Sequence, residues 1–307
     1  MITSAMQLKA KIRNLARDSN AEAHDLATIF MLERFLERIT VSEYAHDFIL
    51  KGGMLLTSML GIDNRMTADM DVTLNGETLS IERTESVLQE ISAINVDDNV
   101  SFEFHSLKRI METRDYPGIQ AKGSAKIDKM VIPVKLDIST GDVITPAAIE
   151  YSYPLMFEDR SLNLQTYDLE TVLAEKLIAL AGHGIGNSRM RDFYDMHVLL
   201  NVYGERIDPQ TLANALTATA KQRRIEDYAD RIERLLPQME NSPEMQTFWK
   251  KYGRDTPYAS NIAWPEVLHS AGSVLDLAYP LGFPQQQTKP ESKQLQPKQS
   301  KRKQQER

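Results

Sequence analysis

Two carboxylates, Asp69 and Asp71, stand two residues apart in the stretch Asp69–Leu74, where polar and apolar residues alternate. Alternation of period two predicts a half-buried strand, so both side chains project from one face. Carboxylates that close repel and raise one another's pKa unless a cation neutralises them. Oxygen ligands so placed suit Mg²⁺, which takes one or two carboxylates together with phosphate oxygens, and two such ions can clamp a nucleotidyl transfer. The competing reading is an exposed strand with an acidic face. Upstream, Gly52-Gly53 precedes a short apolar stretch, Met54–Leu60, predicted to be helical, so backbone N–H groups there could approach a triphosphate. Arg65 and Thr67 lie four and two residues before Asp69, within reach of the same phosphates. An ordinary tight turn and a solvated loop cation are the simpler readings of the glycines and of Arg65.

Three further groups sit downstream. Val134–Ile138 reads VKLDI, which places Lys135 and Asp137 on one strand face opposite three aliphatic side chains. The run from Asp168 to Leu177 has Asp168 in position to cap a helix that carries Glu175-Lys176. A glycine-rich loop, Gly182–Gly186, then joins it to a second helix opening on Arg189-Met190-Arg191-Asp192-Phe193-Tyr194-Asp195. Taken singly, these are solvated ion pairs. The glycine loop lacks the GK[ST] ending of a phosphate-binding P-loop, and the histidines show no metal-ligand spacing.

The order of these groups is more telling than any one of them. A glycine pair, a short helix and DxD on a strand resembles the nucleotidyltransferase superfamily of the DNA polymerase β type, with 15 residues between Gly53 and Asp69. More narrowly, GG…RxTxDxD followed by VKLDI, EK and RxRDxYD is similar to the AbiEii/AbiGii toxin family, which includes the MenT tRNA nucleotidyltransferase toxins. The resemblance covers roughly Phe48 to Leu200. It implies an α+β fold, a polymerase β-like nucleotidyltransferase core with a mixed sheet. It implies Mg²⁺, two ions, held by Asp69, Asp71 and Asp137, with an NTP as substrate. Gly52, Gly53, Arg65, Thr67, Lys135 and Lys176 would bind the nucleotide, Lys176 at its triphosphate. Asp137 would serve as ligand or base, and Asp192 would orient or deprotonate the acceptor. The implied function is that of a toxin in a bacterial toxin–antitoxin or phage-defence pair. It would modify the tRNA 3′ end, block translation and be paired with an antitoxin, often of winged-helix type. Transfer to a small-molecule or protein hydroxyl, and a catalytically silent binding module, are the alternatives.

The elements that must position these residues divide the chain. A helical lead, with one apolar face from Leu26 to Ile39, precedes the α/β core, and together they span 1–160. Three strands are expected at Ser101–Leu107, Gly118–Ile127 and Val131–Ile138, and a helix from Ser80 to Ile94. A helical C-terminal half spans 161–280, with Trp249, Tyr252 and Trp264 in its core. The segment 281–307 is expected to be a disordered, basic, glutamine-rich tail. Seven basic and two acidic residues in Phe283–Arg307 leave 29 basic and 41 acidic side chains in the rest of a 307-residue chain of net charge −7. An acidic body excludes a general nucleic-acid coat, which needs a broad basic face. Among body residues, Lys221-Gln222-Arg223-Arg224 is the densest basic cluster, either an RNA contact or a solvated helix end. No cysteine is present, which excludes disulfides, iron–sulfur clusters and thiolate zinc sites. No apolar run is long enough for a membrane span, and the first residues lack a secretory signal, so the cytoplasm is the expected location.

Overall fold

The structure, a computed structural model, describes residues 1–19, 21–75, 80–110 and 118–280. The expected tail at 281–307 and the turn at Asn75-Gly76 beyond Asn75 lie outside the described residues. Among the described residues seven strands form one mixed sheet in the order β3-β4-β5-β2-β1-β7-β6. They are β1 (Phe48–Lys51), β2 (Met70–Leu74), β3 (Val100–Ile110), β4 (Gly118–Ile127), β5 (Met130–Thr140), β6 (Ile149–Pro154) and β7 (Ser161–Thr166). β1 runs antiparallel to β2 and parallel to β7, whereas β2 and β5 are parallel. The fold class is α+β, as the motifs imply.

Alternation decides which face is covered. Ile119, Ala121, Gly123, Ala125 and Ile127 of β4, and Ile132, Val134, Leu136 and Ile138 of β5, are buried, while the residues between them are not. On the apolar face lie α1 (Ala5–Asp18), α2 (Ala23–Thr40) and α4 (Ile81–Ser92). Phe35 of α2 meets Phe102 and Phe104 of β3 edge-on at 5.1 and 5.3 Å. α4 begins at Ser80, whose Oγ accepts from the Arg83 N–H at 3.0 Å.

α2 differs from its one-faced periodicity, because Glu33, Arg34, Glu37 and Arg38 are buried too. Arg38 is bidentate to Asp98 at 2.7 and 2.8 Å and donates to the Val100 carbonyl at 2.7 Å. Arg34 pairs with Glu37 and Glu158, and Arg160 with Glu37. Burial lifts the Glu33 carboxyl to about 8. Charged side chains thus fasten α2 to the chain around β6 and β7, a role that polarity alone conceals.

The strand Asp69–Leu74 is one residue shorter than expected: β2 starts at Met70 and Asp69 lies in the preceding loop. β7 lies beyond residue 160 yet pairs with β1, so the sheet continues past that position. The C-terminal half contains α5 (Leu169–His183), α6 (Met190–Tyr203), α7 (Pro209–Gln222), α8 (Tyr228–Glu240), α9 (Pro243–Asp255) and α10 (Trp264–Ala278), and the remaining helix, α3, is Gly52–Leu60. Asp168 caps α5, accepting from the Thr171 N–H at 3.1 Å. Trp249 and Trp264 are buried with rings 5.9 Å apart, and Tyr252 packs on Trp249 at 5.5 Å, which is the core role expected of them.

Candidate active site

The strand register builds the site. Lys51 lies opposite Asp71, Asp71 opposite Asp137, and Asp137 opposite Gln120. Opposed residues on neighbouring strands face the same way, so these four form a row across β1, β2, β5 and β4 on the sheet face away from α2. The Gln120 amide donates to Asp137 Oδ1 at 2.9 Å and fixes that carboxylate.

The glycine pair turns the chain from β1 into α3 directly against this row. Gly52 has φ +64°, in the left-handed region, and a Cβ there would lie 2.8 Å from the Asp71 Cγ. A Cβ on Gly53 would lie 2.7 Å from Thr67, whose buried side chain wedges the loop before Asp69. Gly53 N–H points at Asp71 Oδ2, 3.4 Å away. Gly52→Ala is therefore expected to destabilise the protein by about 1–3 kcal/mol through backbone strain and displacement of Asp71. Urea unfolding measures this, and an unchanged midpoint would contradict it.

Burial, then the charges of Asp137 and Asp69, raise the Asp71 carboxyl above the usual carboxylate range, against Lys51 and the Gly53 N–H. The row is thus short of positive charge at Asp71. Asp69, with a side chain 46% exposed, is held by Lys135 Nζ at 2.9 Å, which also lies 3.5 Å from Asp137. Burial favours the neutral amine, but hydrogen bonding to Asp69 and the two carboxylate charges hold the Lys135 pKa above its ordinary value. Among the described residues, no three acidic or histidine side chains converge to hold a metal ion as they stand. The physical reason is Lys135, which fills the space between Asp69 and Asp137. Asp71 and Asp137 remain side by side, and Mg²⁺ needs only one or two carboxylates when phosphate oxygens complete its shell. That pair, electrostatically under-compensated, fits such an ion.

Beside Asp71, Lys51 is tied to Asp142, and donates to Ser139 Oγ at 2.7 Å. Tyr167 OH donates to the same Asp142 carboxylate at 2.9 Å. Glu175 on α5 pairs with Arg223 at the end of α7, which engages the middle of the Lys221–Arg224 cluster within the fold.

The neighbouring Lys176 anchors a second cluster. Its Nζ contacts Asp192 at 3.0 Å and Asp195 at 2.6 Å. Asp195, fully buried, also accepts from Arg65 Nε at 2.7 Å, while Arg65 Nη1 donates to the Met66 carbonyl at 2.9 Å. Arg189 holds the other oxygen of Asp192 at 2.8 Å. Helices α5 and α6 and the loop before Asp69 therefore meet in one ionic cluster.

A family model described as "Nucleotidyl transferase AbiEii toxin, Type IV TA system" matches residues 34–270. The chain belongs to the AbiEii toxin family. It is a nucleotidyltransferase of a family whose members act within toxin–antitoxin pairs, so an antitoxin partner is implied. Among solved structures, a putative nucleotidyltransferase from H. pylori is similar, with a TM-score of 0.51 and 15% identity over 85% of this chain and 96% of that one. MenT4, a nucleotidyltransferase toxin from Mycobacterium tuberculosis, aligns at a TM-score of 0.49 and 12% identity over 87% and 97%. No curated protein sequence matches significantly. Among the described residues no helix is long and apolar enough to cross a membrane.

In this AbiEii family member the expected residues fall into two groups. Gly52, Gly53, Thr67, Asp69, Asp71, Lys135 and Asp137 surround the carboxylate row, whereas Arg65, Lys176 and Asp192 share the ionic cluster. Arg65 is not a solvated loop cation: at 2% exposure its guanidinium is spent on Asp195 and a carbonyl. Asp192 is paired by Arg189 rather than by the adjacent, exposed Arg191. Motif reading passed over Asp195, Asp142 and Gln120. The signal for Asp195 was spacing, since residues three apart on a helix share a face and Asp192 and Asp195 therefore meet one cation.

Proposed function

We propose that this nucleotidyltransferase moves an NMP from an NTP to the 3′ end of tRNA in a Mg²⁺-dependent reaction, and so blocks translation as the toxin of a cytoplasmic toxin–antitoxin or phage-defence pair. The observation that carries the reading is the Asp71–Asp137 pair flanked by the Gly52-Gly53 turn. Asp71 and Asp137, joined by Asp69 once it parts from Lys135, would hold the ions, two in number. Bound there, Mg²⁺ supplies positive charge that neutralises phosphate oxygens and the departing pyrophosphate.

The remaining roles belong to the protein. The backbone at Gly52-Gly53 lies close enough to Asp71 for a triphosphate to pass beside it, which a side chain would prevent. Lys135, freed from Asp69, is the cation available beside the row, and Lys176 would reach phosphate only by parting from Asp192 and Asp195, with Thr67 shaping the approach. Arg65 contributes by fixing the loop that presents Asp69. The acceptor hydroxyl oxygen bonds to the α-phosphorus as the bond from that phosphorus to the bridging oxygen breaks. Its proton passes to Asp137, pyrophosphate departs with the bridging oxygen, and Asp192 orients the acceptor. The antitoxin is expected to be of the winged-helix type.

Incubating the protein with each labelled NTP, Mg²⁺ and either unfractionated tRNA or lysate protein tests this. Label in tRNA, lost on chelation, is the expected result. Label confined to protein or to a small molecule would overturn the tRNA acceptor, and no transfer with any NTP would overturn the whole reading.

A further inference from the structure

The row of carboxylates has two flanks. On the β1 side stands the glycine turn, the phosphate side of the proposed reaction. On the other side Asp137 is followed by β4 and β3, so an acceptor whose hydroxyl gives its proton to Asp137 must arrive over those strands. Their open face carries Gln120, Lys122, Ser124 and Lys126 on β4, and Ser101, Glu103, Ser106 and Lys108 on β3, so three lysines stand against one carboxylate, Glu103, opposite Ser124. Register places Lys108 opposite Gln120, and Lys122 opposite both Ser106 and Lys135.

Three facts make this face unusual. Lys108, Lys122 and Lys126 are exposed, and among the described residues none has a carboxylate partner. Lys122 faces Lys135 directly, and like charges so opposed destabilise a sheet. Lysines often guard the exposed edge of a sheet, but β4 is hydrogen-bonded on both sides, to β3 and to β5. Edge protection therefore does not explain Lys122 or Lys126. In a chain of net charge −7, a cationic track that starts at the third carboxylate is local and directional. Lysines on the same face of a strand recur about every 6–7 Å or its multiples, a spacing that a chain of phosphodiesters can follow.

We propose that the open face of β4 and β3, through Lys122, Lys126 and Lys108, binds the phosphate backbone of a nucleic-acid acceptor strand and leads its end to Asp137. This rests on the nucleotidyl-transfer reading above and specifies the acceptor as a polyanionic strand. The test compares the wild-type chain with Lys122→Glu/Lys126→Glu and with a charge-matched control on α9, Lys250→Glu/Lys251→Glu. Binding to unfractionated tRNA is followed by fluorescence anisotropy over a KCl series, and circular dichroism checks folding.

The β4 variant should bind about tenfold or more weakly at low salt, and its log–log salt slope should fall by about 1.4, or 0.7 per lost phosphate contact. Its thermal stabilisation by MgNTP should be unchanged, and the control should bind almost as wild type. Equal affinity and slope in the β4 variant, or an equal loss in the control, would overturn the inference. A wild-type protein that binds MgNTP but neither binds nor labels tRNA would overturn the acceptor reading itself.

Discussion

Asp71→Asn is expected to lower nucleotide transfer by about a thousandfold or more while leaving the protein as stable as wild type, or more so, at neutral pH. Both halves follow from the position of Asp71 in the row. It lies between Lys51 and Asp137, under the glycine turn, and is the carboxylate around which the others are set. Asparagine keeps the shape but removes the charge that would hold a cation against phosphate. Stability moves the other way because burial and the charges of Asp137 and Asp69 raise the Asp71 pKa. A raised pKa means that the native state favours the protonated form. Its contribution is present below the ordinary value, about 3.9, and is lost as pH rises through the folded value. The melting temperature of Asp71→Asn relative to wild type should therefore increase from acidic to neutral pH. Near-wild-type transfer by the variant would remove Asp71 from the reaction, and a lower melting temperature at pH 7 would show that its contacts with Gly53 and Lys51 outweigh the repulsion.

How far such a site can be read in advance depends on what kind of pattern encodes it. Strands β2, β4 and β5 are legible because each alternates against one apolar layer. With the strands come the shared faces of Lys135 with Asp137 and of Lys122 with Lys126. The glycine pair is legible as a turn, but its need for glycine comes from Asp71 against Gly52 and Thr67 against Gly53, 19 and 14 positions further along. β6 and β7 escape detection because their polar residues, Glu150, Ser152, Asn163 and Gln165, dilute the alternation in short strands near a sheet edge. The buried charges of α2 and the burial of Arg65 are invisible to periodicity, which takes charge as a sign of exposure. Their partners, Asp98, Arg160 and Asp195, are supplied from 60 to 130 positions away. Lys135 shows the same limit at the site itself: the sequence places it beside Asp137, but only the pairing of β2 with β5 brings Asp69 to its ammonium.

That long-range pairing makes Asp195→Ala the substitution with the largest expected structural effect. Asp195 receives two cations, Lys176 from α5 and Arg65 from the loop before Asp69, and is fully buried itself. Burial opposes its ionisation, but the charges of Lys176 and Arg65 and their hydrogen bonds hold its pKa below the usual range. Alanine would leave both cations buried, with Asp192 alone beside Lys176 and a single carbonyl beside Arg65. Removing one partner of a buried ion pair costs about 3–5 kcal/mol, which corresponds to roughly 5–8 °C in melting temperature for a protein of this size. Because the pKa is lowered, the stabilisation is present above about 3.9 and is lost as pH falls through the folded value. The gap between wild type and variant, measured by urea unfolding, should thus be full at neutral pH and shrink in acid. A double-mutant cycle with Arg65→Met separates the pair from general packing: the double variant should lose clearly less than the sum of the single losses. Additive losses would deny the coupling between the Asp69 loop and α6. With coupling, transfer activity should fall further than Lys176 alone explains, since the loop that presents Asp69 is held in place from the helical half.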